Sequence, residues 1–142
     1  VTPGELIVAD AAVPGDGTTR QYLGGRPYAT APTFEATRAL VDAAAGHGGA
    51  HVGLIQTEDA FYATRPEDVP ALAERGVLAI EMEAAALFLL GRLRSVRTGC
   101  MLVASNRIGD PSFVDPEVLR SGVERMVRSA LDAFVALHHA DT

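Results

Sequence analysis

Three short stretches of the sequence hold side chains able to do chemistry on a polar organic molecule. Glu81-Met82-Glu83 sets two carboxylates directly between an apolar strand and an apolar helix. Burying both unpaired would be costly, whereas a helix start stabilises acids through its dipole and its free N–H groups. The pair therefore reads either as a charge bias at a helix N-terminus or as Glu83 reaching into a crevice to accept two hydrogen bonds from a diol such as a ribose. Phe61-Tyr62, after Glu58-Asp59, offers a ring that either packs into the core or stacks on a flat heterocycle. Ser105-Asn106-Arg107 brings together a hydroxyl, an amide and a guanidinium. The amide both donates and accepts, which suits a purine N7 beside an O6, but it cannot act as an acid. Turn chemistry, with Gly109-Asp110-Pro111 close behind, is the other reading of Asn106.

The elements that must position these residues follow from periodicity. Leu6 to Ala12 reads as a buried strand that ends in the turn formers Pro14-Gly15-Asp16-Gly17, with a long loop expected after it. Thr33 to Ala45 reads as a helix capped by Thr33 and stopped by Gly46-His47-Gly48-Gly49. His51 to Gln56 is a second strand, a short helix follows Pro66 and ends at Gly76, and Val77 to Ile80 is a third strand. Glu83 to Leu93 is helical, Cys100 to Ala104 is a fourth strand, and Asn106 to Pro116 is a loop. Glu117 to His138 is a long amphipathic helix. Its Arg120, Glu124, Arg128 and Asp132 form a solvated ladder, and Leu119, Val123, Met126, Val127, Ala130, Leu131 and Phe134 form the apolar side.

Strands that are apolar on both faces and alternate with helices define an α/β protein, with a mainly parallel or mixed sheet flanked by helices in three αβα layers. In such sheets ligands lie beyond the carboxyl ends of strands, so the segments after Ala12, Gln56, Ile80 and Ala104 carry the interest. The chain of 142 residues suffices for one core, and its 48% hydrophobic content excludes disorder. All twelve basic residues are arginine, and the net charge of −6 opposes binding to nucleic acid or anionic membranes. Cys100 stands alone, so neither an internal disulfide nor a cysteine metal cluster is available, which fits a reducing cytoplasm. No membrane-spanning segment is expected. His47 and His51 lack a third ligand at suitable spacing, and His138-His139 reads as a frayed helix end. There is no G-x-G-x-x-G, Walker A or G-x-S-x-G sequence, and Gly15-Asp16-Gly17 reads as a turn.

Taken in order, Asp16-Gly-Thr-Thr-Arg20 with Tyr22, His51-Val-Gly53, Thr57-Glu-Asp-Ala-Phe-Tyr62, Glu81-Met-Glu-Ala-Ala85 and Ser105-Asn-Arg107 resemble the nucleoside phosphorylase family. The branch is that of hexameric purine nucleoside phosphorylases and uridine phosphorylases. The resemblance covers nearly the whole chain, and Glu-Met-Glu-Ala is its most specific part. It implies phosphorolysis of a nucleoside to a free base and ribose 1-phosphate, with inorganic phosphate as co-substrate, no other cofactor and no metal. It implies that Phe61, Glu81, Met82, Glu83, Ser105, Asn106 and Arg107 contact substrate: Glu83 the ribose hydroxyls, Met82 the underside of the sugar, Phe61 the base. Asn106 stands where many purine phosphorylases and related nucleosidases have an aspartate that protonates the leaving base, and so carries the catalytic role as a hydrogen-bond donor.

That exchange implies a preference for 6-oxopurines such as guanosine and inosine, whose anions leave more readily than adenine's. Uridine phosphorylase is the alternative, but the family's Gln-x-Arg after Phe-Tyr is replaced here by Thr64-Arg65-Pro66-Glu67, where Arg65 or Arg107 would have to substitute. A hydrolytic nucleosidase and a catalytically incomplete chain are further alternatives. The Gly-rich, arginine-containing phosphate segment and the later Arg-x-Gly-[Thr/Ser] segment do not occur in these residues. The expectation is therefore that residues 1–142 form the nucleoside-binding C-terminal part of a phosphorylase domain that lacks its N-terminal strands. An open sheet edge and an uncovered apolar face would then favour self-association.

Overall fold

The computed structural model describes residues 1–108, 110 and 114–140. Among these, four strands, β1 (Leu6–Pro14), β2 (His51–Thr57), β3 (Ala79–Glu81) and β4 (Met101–Val103), form one mixed sheet in the order β3-β2-β1-β4. β1 and β2 are parallel, as are β2 and β3. β4 runs antiparallel to β1, with Leu6 opposite Val103 and Val8 opposite Met101. The mixed sheet flanked by helices is the architecture expected from the sequence.

β1 is the central strand and explains the packing on both faces. Ile7, Ala9 and Ala12 join Ile55 and the Ala84, Ala85 and Phe88 side chains of α4 (Ala84–Leu93) in one buried cluster. Leu6 and Val8, which alternate with them, are equally buried, as a period of two requires when both faces are covered. On that second side lie α2 (Phe34–Ala45) and α5 (Pro116–Ala140), packed on each other. Asp10, a charged residue inside this strand, is accommodated by a bulge: the register with β2 skips it between Ala9 and Ala11, and it is exposed.

Five expectations need correction. The segment after Pro14 is no long loop; it contains α1 (Gly17–Leu23), whose N-cap Asp16 accepts the Thr19 N–H at 2.6 Å and whose C-cap Gly24 takes the left-handed conformation. The third strand starts at Ala79, because the Val77 N–H still closes the end of α3 (Val69–Glu74) on the Leu72 carbonyl. The buried stripe of α5 is Gly122, Ser129 and Ala133, whereas Val123, Val127, Leu131 and Phe134 are exposed. Small residues take the inner face because the backbone comes close: a Cβ at Gly122 would stand 2.9 Å from the Gly4 carbonyl oxygen and 2.8 Å from Val103. Nor is the polar ladder purely solvated, since Asp132 meets His47 at 2.7 Å. The helix also continues through His138 and His139 to Ala140.

Candidate active site

The site is built on the junction between β3 and α4. Glu81 ends β3, and Glu83 is the N-cap of α4 with φ −135° and no capping bond from its own side chain. The capping is done instead by Glu81, whose Oε2 accepts the N–H groups of Glu83 and Ala84, each at 2.7 Å. Its Oε1 accepts the hydroxyl hydrogen of Thr57, and the Thr57 oxygen in turn accepts the Ala85 N–H at 3.0 Å. Three N–H groups that every helix start leaves without an intrahelical partner are thus satisfied from neighbouring strands. The Glu83 side chain is exposed and remains uncommitted among the described residues.

Glu83 lines a cavity of about 790 Å³ together with Phe61, Tyr62, Glu81, Met82, Ser105, Asn106 and Arg107. The structure therefore brings all seven candidate residues from the sequence to one cavity. Phe61 is 67% exposed, so the core-packing alternative fails for it; it stands edge-on to Tyr62 with ring centroids 5.0 Å apart. Apolar wall is supplied by Ile7, Leu72, Val77, Ala79 and Leu102, a mix of apolar lining and few polar groups that suits a small organic ligand. Arg65 is not among the lining residues; its guanidinium lies 3.3 Å from Glu67 and 3.5 Å from Asp68.

At the β4 side, the Ser105 hydroxyl donates to Asn106 Oδ1 at 2.7 Å. The NH2 group of the same amide remains able to donate. The strand-end rule does not by itself gather these residues. Thr57 and Glu81 lie opposite each other, level with Pro14 at the far end of β1, whereas Val103 lies opposite Leu6 at its beginning. Ser105 to Arg107 therefore leave the sheet at the end opposite Glu81 to Glu83, and the cavity joins the two groups by running along the sheet. The Gly109-Asp110-Pro111 turn falls on positions 109 and 111, outside the described residues.

Cys100 packs against the core cluster. Burial, with the Glu81 and Glu83 carboxylates adding to it, pushes its thiol up to about 12, so it is held as a neutral thiol. His47 and His51 pair with separate carboxylates, His47 with Asp132 and His51, at the start of β2, with Glu5 at 3.0 Å. No group of metal-ligating side chains occurs among the described residues, and none of their helices is long and apolar enough to cross a membrane. Thr57 was not singled out from the sequence; the available signal was a hydroxyl closing the strand that carries the apolar run Val52 to Ile55.

A family model described as the phosphorylase superfamily matches residues 1–136. Guanosine phosphorylase of Halorubrum lacusprofundi is 37% identical, over 94% of this chain and 58% of that protein. Uridine phosphorylase of Treponema pallidum is 35% identical, over 100% of this chain and 59% of that protein. A DeoD-type purine nucleoside phosphorylase of Jannaschia is 35% identical, over 90% of this chain and 53% of that protein. The chain belongs to the phosphorylase superfamily, within its nucleoside phosphorylase family. It spans a little over half the length of these curated relatives.

Proposed function

We propose that the protein is a nucleoside phosphorylase acting on purine ribonucleosides, with 6-oxopurines preferred, and that this chain supplies the pentose and base contacts. The observation that carries the reading is the uncommitted Glu83 carboxylate in one cavity with Phe61 and the Asn106 amide. Glu83 accepts hydrogen bonds from the ribose hydroxyls, Met82 packs beneath the sugar, and Phe61 faces the base. An oxygen of inorganic phosphate attacks C1′ as the bond to the base nitrogen breaks and its electron pair departs with the base. The sugar passes through an oxocarbenium-like state, and negative charge gathers on the purine. The Asn106 NH2 hydrogen-bonds N7 or O6 as that charge grows, worth about 1 to 3 kcal/mol in a desolvated site. Arg107 adds positive charge at the base end.

The purine choice is supported by the relatives named for guanosine and purine nucleosides, and by the engagement of Arg65 with Glu67 and Asp68 away from the cavity. Phosphate binding is assigned to none of these residues. A homo-oligomer, hexameric as in the family, and a cytoplasmic setting belong to the same reading. The test is base release from inosine, guanosine, adenosine and uridine by the purified protein, with and without phosphate. Phosphate-dependent release with guanosine or inosine fastest is expected. Uridine as the fastest substrate overturns the base assignment, phosphate-independent release points to a nucleosidase, and no release at all leaves a non-catalytic chain.

A further inference from the structure

We infer that Thr57 is a positioning residue, acting through Glu81 to hold Glu83 in register for the pentose. The inference rests on the functional reading above for the word pentose, and on bond geometry for the rest. Thr57 is fully buried at the end of β2, its carbonyl accepts the Gly15 N–H at 2.9 Å, and a Cβ on Gly15 would stand 2.5 Å from that carbonyl oxygen. The backbone of Thr57 is therefore locked between β1 and β3. Its hydroxyl carries one proton, which goes to Glu81 Oε1, and its oxygen accepts the Ala85 N–H. Glu81, fixed at one oxygen, uses the other to hold the N–H groups of Glu83 and Ala84.

The relay changes the role expected for Glu81. Both of its oxygens are engaged within the chain, one by a side chain and one by two amides, so its work is to orient the residue two positions later. Without the Thr57 proton, Oε1 loses its donor and the carboxylate is free to rotate away from the amides. Glu83 then keeps its charge and its exposure but loses its fixed direction, and positioning is what a binding carboxylate must retain to discriminate.

The experiment compares wild type, Thr57→Val, Thr57→Ser and Glu83→Ala in the full-length protein. The first readout is the ratio of kcat/KM for inosine to that for 2′,3′-dideoxyinosine, which a general loss of folded protein leaves unchanged. Thr57→Val is expected to lower that ratio roughly tenfold toward the Glu83→Ala value, and Thr57→Ser to restore it. The second readout is amide exchange at Glu83 and Ala84, whose N–H groups bond Glu81 and not Thr57; it should quicken in Thr57→Val and not in Thr57→Ser. An unchanged ratio, unchanged exchange at those two amides, or a Thr57→Ser protein that behaves like Thr57→Val overturns the inference. If wild type cleaves no nucleoside, the functional reading falls and exchange alone decides the relay. If Thr57→Val does not fold, Glu81→Gln, at a part-buried residue, carries the same two readouts.

Discussion

Glu81 Oε2 accepts the backbone N–H of Glu83 at 2.7 Å, so one acid of the pair fixes the backbone from which the other projects. Two neighbouring carboxylates thereby take different tasks, one inside the fold and one facing the cavity.

Removing the outward acid should affect function and spare stability. For Glu83→Ala, two lost hydrogen bonds to a charged acceptor, at about 1.5 to 3 kcal/mol each, correspond to a fall in kcat/KM of at least about a hundredfold for ribonucleosides. The side chain is exposed, so the thermal midpoint should stay close to wild type. Steady-state kinetics beside thermal unfolding checks both; a large drop in melting temperature would contradict the division of labour.

Asn106 should control the leaving base. Asn106→Ala is expected to lower kcat by about a hundredfold, with a smaller effect on KM, because its bond strengthens as the base gains charge. Asn106→Asp supplies a proton that an amide lacks, so activity on adenosine should rise relative to inosine, and the gain should be greatest at acidic pH. Paired pH profiles on the two nucleosides measure this.

The inner face of α5 should reject even a methyl group at its closest approach. Gly122→Ala places a Cβ within 3 Å of the Gly4 carbonyl oxygen and of Val103, an overpacking expected to cost about 1 to 3 kcal/mol. Urea unfolding should show a lower midpoint with an unchanged slope. The exposed Val123, one position later, should accept alanine with little change.

Acid should remove the contribution of Glu5. Hydrogen bonding from the Thr2 backbone, and then from the Thr2 and His51 partners, lowers its carboxyl from 4.5 to about 2. A folded-state value below the unfolded one means stabilisation that is present above about pH 4.5 and lost as pH falls toward 2. Glu5→Gln should therefore melt below wild type at neutral pH, and the two curves should converge across that window. Because the side chain is partly exposed to solvent, the neutral-pH gap should be small and should shrink further in high salt.

Much of this was legible in the sequence, for physical reasons that differ by element. β1, β2, α2 and α4 announced themselves through apolar runs and helical spacing, and the cavity residues through chemistry placed next to those runs. α1 stayed hidden because Gly15-Asp16-Gly17 looks like a turn, although Asp16 followed by Gly24-Gly25 is a start and stop for a short helix. The burial of α5 was misjudged because periodicity marks large apolar residues, whereas a close backbone approach selects Gly122, Ser129 and Ala133. The engagement of Glu81 could not be read from Glu-Met-Glu, since it depends on Thr57 arriving opposite it from another strand.

The short antiparallel ladder at β4 has an evolutionary consequence. Three register pairs, Leu6 to Val8 with Val103 to Met101, tether the segment that leads to Asn106 at one edge of the sheet, while three others, Ile55 to Thr57 with Ala79 to Glu81, tether the segment that leads to Glu83 at the opposite edge. Under the proposed function, selection can retune which heterocycle is accepted by altering the β4 edge, leaving the Glu83 edge, two strands away, intact. A lineage built on such a plan can diversify its nucleobases while inheriting a single grip on the furanose.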